Sequence, residues 1–85
     1  MIEFSYTIKD KLGIHARPAG LLVKTADKFS SDITISKNDK SGDAKRIFSV
    51  MALGIKYDDE VKLTISGNDE EKAKEALEQF FKENL

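Results

Sequence analysis

Short segments in which apolar and polar residues alternate limit this chain to a fold built on a one-sided sheet. The pattern covers residues 2–8 and returns over residues 33–36 and 61–65. A period of two places successive side chains on opposite faces of a strand, so one face lies on a core and the other faces water. The chain therefore needs helices to cover the apolar face. The alternating apolar residues are Ile2, Phe4, Tyr6, Ile8, Ile33, Ile35, Val61, Leu63 and Ile65.

Three other segments have apolar residues at helical spacing. The first helix is predicted to run from Pro18 to about residues 30–31, and the second is a short one that ends before Gly54. Asn68 followed by Glu71 predicts a capping box at the start of the third helix. The apolar residues of the first and third helices are Ala19, Leu22, Val23, Ala26, Phe29, Ala73, Ala76, Leu77, Phe80 and Phe81.

A weak strand through Gly42 to Ala44 completes the set of elements and is expected at a sheet edge. The element order is then β-α-β-β-α-β-α. Strands with one covered face favour an antiparallel sheet with its helices on the apolar side. The predicted fold is α+β, a two-layer open-faced sandwich in one domain that spans residues 1–85.

Composition excludes several classes of protein. The chain has 85 residues and no cysteine, so disulfides and thiolate metal sites are absent, and packing must supply the stability. A net charge of −1 argues against nucleic-acid binding, and the scattered carboxylates near Asp58 do not suggest a metal site. The short apolar runs predict no membrane span, and the N-terminal residues lack a secretory signal, so we expect a cytoplasmic protein.

His15 is the only histidine, and its neighbours give it chemical interest. It stands in the string Gly13-Ile14-His15-Ala16-Arg17-Pro18-Ala19, where a loop leaves the first strand and turns into a helix. Proline is favoured in a first helical turn because it has no amide hydrogen to leave unsatisfied. The helix start therefore lies within about two residues of His15.

The start of this helix is a candidate anion site. Free amide hydrogens are expected near Ala16, Arg17, Ala19 and Gly20, at the positive end of the helix dipole, and Arg17 adds a fork suited to phosphate oxygens. A neutral imidazole beside such a site can attack phosphorus without a metal. On these residues alone, two simpler alternatives stay open. Arg17 could form a surface ion pair, and His15 could cap the helix.

The same string resembles the active-site signature of the histidine-containing phosphocarrier (HPr) family of the bacterial sugar phosphotransferase system. The resemblance continues through Val23-Lys24-Thr25-Ala26, Ala44-Lys45, Val50-Met51-Ala52-Leu53-Gly54 and the last helix, so it spans nearly the whole chain. It implies a sheet of four antiparallel strands in the order 1-4-2-3 under three helices. It also implies that His15 accepts a phosphoryl group on Nδ1 from phosphorylated enzyme I and passes it to IIA domains of sugar permeases. Arg17 would stabilise the phosphate, and no cofactor is expected.

A carrier must bind several partners through one face, which favours an exposed apolar patch with a charged rim. Phe48 is the strongest candidate for that patch, because it falls off the helical face that Ile47 shares with Val50 and Met51. For Ile47 and Met51 a place in the core is the competing hypothesis. Lys24, Lys28, Lys45 and Arg46 are candidates for a basic rim, within residues 1–46 that carry 9 basic and 6 acidic side chains. The predicted partner interface is Ala19, Gly20, Lys24, Arg46, Ile47, Phe48 and Met51.

Arg46 is the main departure from the resemblance. Many members of the family have at this position a serine that a dedicated kinase phosphorylates, and an arginine cannot be modified in that way. We therefore expect no regulatory phosphoserine, and HPr kinase should label neither Ser41 nor Ser49. A regulatory paralogue that acts by protein binding is the alternative function. We expect a monomer, and the reason for glycine at position 20 stays open between simple tolerance and close approach of a partner.

Overall fold

The computed structural model describes residues 1–85 and contains the seven elements in the predicted order. The strands pair in the order β1-β4-β2-β3, and all three pairings are antiparallel. The predicted open-faced sandwich is therefore confirmed. No helix combines the length and the apolar character that a membrane crossing requires. The elements are β1 (Ile2–Thr7), α1 (Ala16–Ala26), β2 (Asp32–Lys37), β3 (Lys40–Asp43), α2 (Ile47–Met51), β4 (Glu60–Ser66) and α3 (Glu70–Asn84).

The central strand β4 pairs with β1 on one side and with β2 on the other. Leu63 of β4 lies opposite Phe4 of β1 on one side and Ile35 of β2 on the other. The alternating apolar residues of β2 and β4 are buried, whereas those of the edge strand β1 are half-buried. The opposite face of the sheet is polar and lies in water. Strand β3 pairs only with β2, so its predicted place at an edge is confirmed.

The core lies between the sheet and the helices α1 and α3. Leu22 and Ala26 of α1 and Leu77 and Phe81 of α3 are fully buried. The ring of Phe81 lies 5.4 Å from that of Tyr6 and 5.8 Å from that of Phe80, measured between centroids. A second contact places Phe81 edge-on to Phe4 at 6.1 Å. This aromatic cluster fixes α3 across β1, which brings the end of α3 to the end of the sheet where α1 begins.

Two predicted helix boundaries were wrong. Helix α1 ends at Ala26, and the chain continues as a tight turn in which the Phe29 amide donates to the Ala26 carbonyl at 3.2 Å. Helix α3 begins one residue later than the capping box implied, with Asp69 as its N-cap. Glu70, rather than Glu71, reaches back and accepts the Gly67 amide hydrogen at 3.0 Å.

The Asp69 carboxylate crosslinks two distant segments instead of capping its own helix. It accepts the backbone amides of Ser30 at 2.9 Å and Ser31 at 3.0 Å, and it also accepts the Ser31 hydroxyl. The Ser31 hydroxyl and these amides stabilise the ionised form and lower the pKa of Asp69 to about 2. The turn after α1 is thereby tied to the start of α3.

Candidate functional site

Hydrogen bonds and a close backbone contact hold the loop between β1 and α1 on the side that precedes His15. The Gly13 amide donates to the Asp10 carbonyl at 2.9 Å, and the Leu12 amide donates to the Asp10 carboxylate at 2.8 Å. Ile14 is buried and donates to the carbonyl of Ile55 at 3.1 Å. Gly13 has a φ of +67° and lies directly on the backbone of residues 55–56. These contacts fix the backbone of the residues that precede His15.

His15 is the N-cap residue of α1, but its side chain does not cap the helix. Its backbone is extended (φ −98°, ψ −173°), and its carbonyl accepts the Ala19 amide at 2.9 Å. The imidazole forms no capping hydrogen bond, so the capping alternative is wrong. His15 is half-buried, and its imidazole takes part in no hydrogen bond within the protein.

Two backbone amides at the start of α1 have no acceptor. They belong to Ala16 and Arg17, and Pro18 contributes no amide hydrogen. The prediction that the Ala19 amide is also free was wrong, because this amide donates to the His15 carbonyl. The same prediction was wrong for Gly20, whose position in α1 pairs its amide with a carbonyl of the helix itself. The unpaired amides of the helix thus belong to the two residues that follow His15 in the chain.

His15 opens onto a shallow depression of about 260 Å³ at the surface. Arg17 is exposed and has no carboxylate within 4.0 Å, so the ion-pair alternative for Arg17 is wrong. The guanidinium is therefore available to an anion bound beside the imidazole. The lining residues are Asp10, His15, Arg17, Pro18, Leu21, Glu83 and Asn84.

Sequence reasoning missed the acidic part of this lining. Asp10 comes from the loop before the motif, and Glu83 comes from the last turn of α3. No local pattern connects Glu83 with His15, since the packing of α3 against β1 and α1 and the bond from the Asp10 amide to Leu85 bring the two together. Asp10 lies five residues before His15, and its position in the sequence gave no sign of a place in the site.

Helix α2 lies against α1 close to Gly20. A methyl group placed on Gly20 would stand 3.8 Å from Cδ1 of Ile47, an ordinary packing distance. Ile47 is half-buried against the core, whereas Met51 is 40% exposed and Phe48 is 84% exposed. The core hypothesis is therefore wrong for Met51 and right in part for Ile47. Phe48 does lie off the core-facing side of α2, as its spacing indicated.

The other predicted interface residues have different surroundings. Ala19 is fully buried, so its side chain offers no surface to a partner. Lys24 and Arg46 are exposed, and Arg46 is the N-cap residue of α2 without a side-chain capping bond. The Lys45 ammonium is engaged within the fold, since it donates to the Phe29 carbonyl at 2.6 Å.

The fold is an open-faced sandwich, and it presents one imidazole, free of capping bonds, beside unpaired amides and an arginine. These features together define the class of histidine phosphocarriers. The model of the family described as "PTS HPr component phosphorylation site" matches residues 2–83 of this chain. The chain belongs to that family, the phosphocarrier component of the phosphotransferase system.

Individual relatives agree with this assignment. The chain is 49% identical to phosphocarrier protein HPr of Mycoplasma capricolum subsp. capricolum over 79 residues, which are 93% of this chain and 89% of the relative. It superposes on HPr-C-His of Thermoanaerobacter tengcongensis with a TM-score of 0.92 at 46% identity, covering 96% of this chain and 92% of the other. It also resembles the Bacillus subtilis catabolite repression protein Crh, described as a domain-swapping dimer, with a TM-score of 0.78 at 35% identity over 100% and 98% of the two chains.

Proposed function

We propose that His15 accepts a phosphoryl group from phosphorylated enzyme I, which phosphoenolpyruvate charges, and passes it to IIA domains of sugar permeases. The observation that supports this proposal is that the His15 imidazole does not cap α1 and lies at a helix start whose first two amides are free. Free amides, the positive end of the helix dipole and an unpaired arginine all favour a dianionic group at the same place.

The transfer needs only the groups present at this site. A lone pair of the imidazole, on Nδ1 in this family, attacks phosphorus, and the bond from phosphorus to the donor atom breaks with its electron pair returning to the donor. The amides of Ala16 and Arg17 and the Arg17 guanidinium stabilise the charge on the phosphoryl oxygens as it passes. The return transfer to a IIA domain follows the same course with His15 as the leaving group.

The direct test is incubation with phosphoenolpyruvate and catalytic enzyme I, followed by intact-mass measurement. We expect an acid-labile gain of one phosphoryl group that is absent in His15→Ala. Arg17→Ala should fold normally and be phosphorylated more slowly, and Arg17→Lys should recover part of the rate because it restores the charge without the fork. No mass gain, with an enzyme I preparation that phosphorylates another HPr, would overturn the proposal.

We propose that partners dock on the exposed part of α2 and the adjoining part of α1. Phe48 and Met51 supply apolar area, and Lys24 and Arg46 supply positive charge toward acidic partners. Phe48→Ala should slow phosphorylation by enzyme I while leaving the free energy of unfolding nearly unchanged, because the ring is exposed. Leu12→Ala is the matched control, since Leu12 is also a large exposed residue, 73% exposed, and lies outside this surface.

The arginine at position 46 should prevent phosphorylation of the protein at that position by HPr kinase. Because it removes the hydroxyl that a kinase would need at that position, HPr kinase with ATP should add no phosphate to this protein. Ser41 and Ser49 are the nearby hydroxyls that could contradict this expectation, and tandem mass spectrometry of a labelled product would identify either one.

The second candidate function is that of a regulatory paralogue that acts by protein binding. The likeness to Crh over the full chain is the observation that favours it. Retention of His15 and of an unpaired Arg17 favours transfer instead. Transfer of labelled phosphate from the charged protein to a IIA domain separates the two, because a purely regulatory protein would not support it. We further propose a cytoplasmic monomer, which light scattering on a size-exclusion column would distinguish from a Crh-like dimer.

A further inference from the structure

Two carboxylates share the surface depression with His15, and the proposed transfer does not use them. Asp10 and Glu83 line it together with Arg17, whereas Pro18, Leu21 and Asn84 complete the lining without charge. The charged residues that line the depression beside His15 are therefore one cation and two anions.

Asp10 is held rigidly in this place. Its amide donates to the Leu85 carbonyl at 2.8 Å, and its carbonyl accepts the Gly13 amide at 2.9 Å. One carboxylate oxygen, Oδ1, accepts the Leu12 amide at 2.8 Å, which leaves Oδ2 without a protein partner. No cation lies within 4.0 Å of either Asp10 or Glu83. Glu83 is steadied by Gln79, whose side-chain amide donates to Oε2 at 2.8 Å.

We propose that Asp10 and Glu83 destabilise the phosphoryl group on His15 by electrostatic repulsion, so that the charged carrier releases it readily. The inference rests on the proposed function of His15. A phosphoryl group adds about two negative charges to the ring, and the single charge of Arg17 cannot balance these together with two carboxylates.

The simplest release reaction is loss of the phosphoryl group to water. The water oxygen attacks phosphorus, the bond from phosphorus to the ring nitrogen breaks, and its electron pair returns to the ring. One proton from water ends on that nitrogen, and hydrogen phosphate leaves. A negative charge on the order of 10 Å away in water changes such an equilibrium or rate about twofold.

The test compares the half-life of the phosphorylated protein at pH 7 among isosteric variants. Asp10→Asn keeps the oxygen that accepts the Leu12 amide, and Glu83→Gln keeps an oxygen for Gln79, so each removes charge alone. We expect each variant to lengthen the half-life about twofold and the double variant about fourfold. The controls Asp27→Asn and Glu75→Gln make the same charge changes outside the depression and should leave the half-life unchanged.

A second measurement does not depend on phosphorylation. The imidazole is the only one in the chain, so its NMR signals in the unphosphorylated protein at pH 7 can be followed against added inorganic phosphate without ambiguity. The dissociation constant for phosphate should fall about two- to fourfold in each depression variant and stay unchanged in the controls. Equal dissociation constants and half-lives in all variants would overturn the inference. Failure of enzyme I to phosphorylate any variant, with lowered dissociation constants, would count against the proposed function alone.

Discussion

Replacement of Gly13 by alanine should test how strongly the fold holds His15 in place. Gly13 has a φ of +67°, in the left-handed region, where an L residue costs about 1–2 kcal/mol. A Cβ at this position would stand 2.7 Å from the Cα of Lys56 and would also overlap the carbonyl oxygen of Ile55. Both are backbone atoms, so they cannot rotate away as a side chain would.

The magnitude follows from adding the two effects. Pushing the loop away from residues 55–56 resembles the overpacking of a core, which costs about 1–3 kcal/mol, so Gly13→Ala should lose about 2–5 kcal/mol of unfolding free energy. Gly54→Ala is the matched control. Gly54 has a φ of +61°, and a Cβ there would meet nothing within 4 Å, so its cost should be the backbone part alone, about 1–2 kcal/mol.

The assay is urea unfolding at pH 7 followed by far-UV circular dichroism, since the chain has no tryptophan to report by fluorescence. Phosphorylation of His15 by enzyme I should slow in Gly13→Ala at temperatures where the variant is folded, because the shifted loop carries the imidazole and Asp10 with it. Gly54→Ala should keep its rate. Equal losses of stability in the two variants would refute the reasoning that close backbone contact positions the loop.

Three further predictions concern the rest of the fold. Phe81→Ala should cost about 3–5 kcal/mol in urea unfolding, since the fully buried ring packs against the aromatic residues of β1; a loss below about 1 kcal/mol would contradict that packing. Gly20→Ala should add about 0.5–1 kcal/mol, because there is room for a methyl group beside Ile47, and a clear loss would show that the site is crowded. The folded pKa of Asp69 is lowered to about 2 from 3.8, so its contribution to stability is complete above about pH 4 and is lost as the pH falls toward 2. Asp69→Asn should therefore unfold with a shallower dependence on pH between 4 and 2, and an unchanged slope would rule out this crosslink.

The locations of most elements could be predicted from the sequence because they depend on neighbours along the chain. Alternation over residues 2–8 and 61–65 reports which face of a strand is apolar, and that property is local. The helix start beside His15 is local as well, since proline and the missing hydrogen bonds of a first turn act within a few residues. The strand order was implied only by family resemblance, because alternation says nothing about which strands pair.

The helix ends could not be predicted, because distant partners decide them. Asp69 serves as the N-cap residue of α3, and its carboxylate binds the amides of Ser30 and Ser31 across the fold. Asn68 and Glu71 have the spacing of a capping box, but Asp69 is the N-cap residue instead, and its carboxylate binds backbone amides of another segment. The competing hypothesis, a place in the core for Met51, was wrong for a related reason. Helix α2 is only five residues long, and it buries Val50 alone completely.

The sequence by itself determined the imidazole that we propose as the phosphoryl acceptor, the cation beside it and the helix that presents them, because all three lie within a few consecutive residues. Only the tertiary structure decided what surrounds them. The amide of Ala19 is hydrogen-bonded, and the imidazole of His15 does not cap the helix. Glu83 reaches the site from the far end of the chain. The physical reason is that covalent neighbours fix local backbone geometry, whereas the charge around a surface group depends on which elements the buried core packs together.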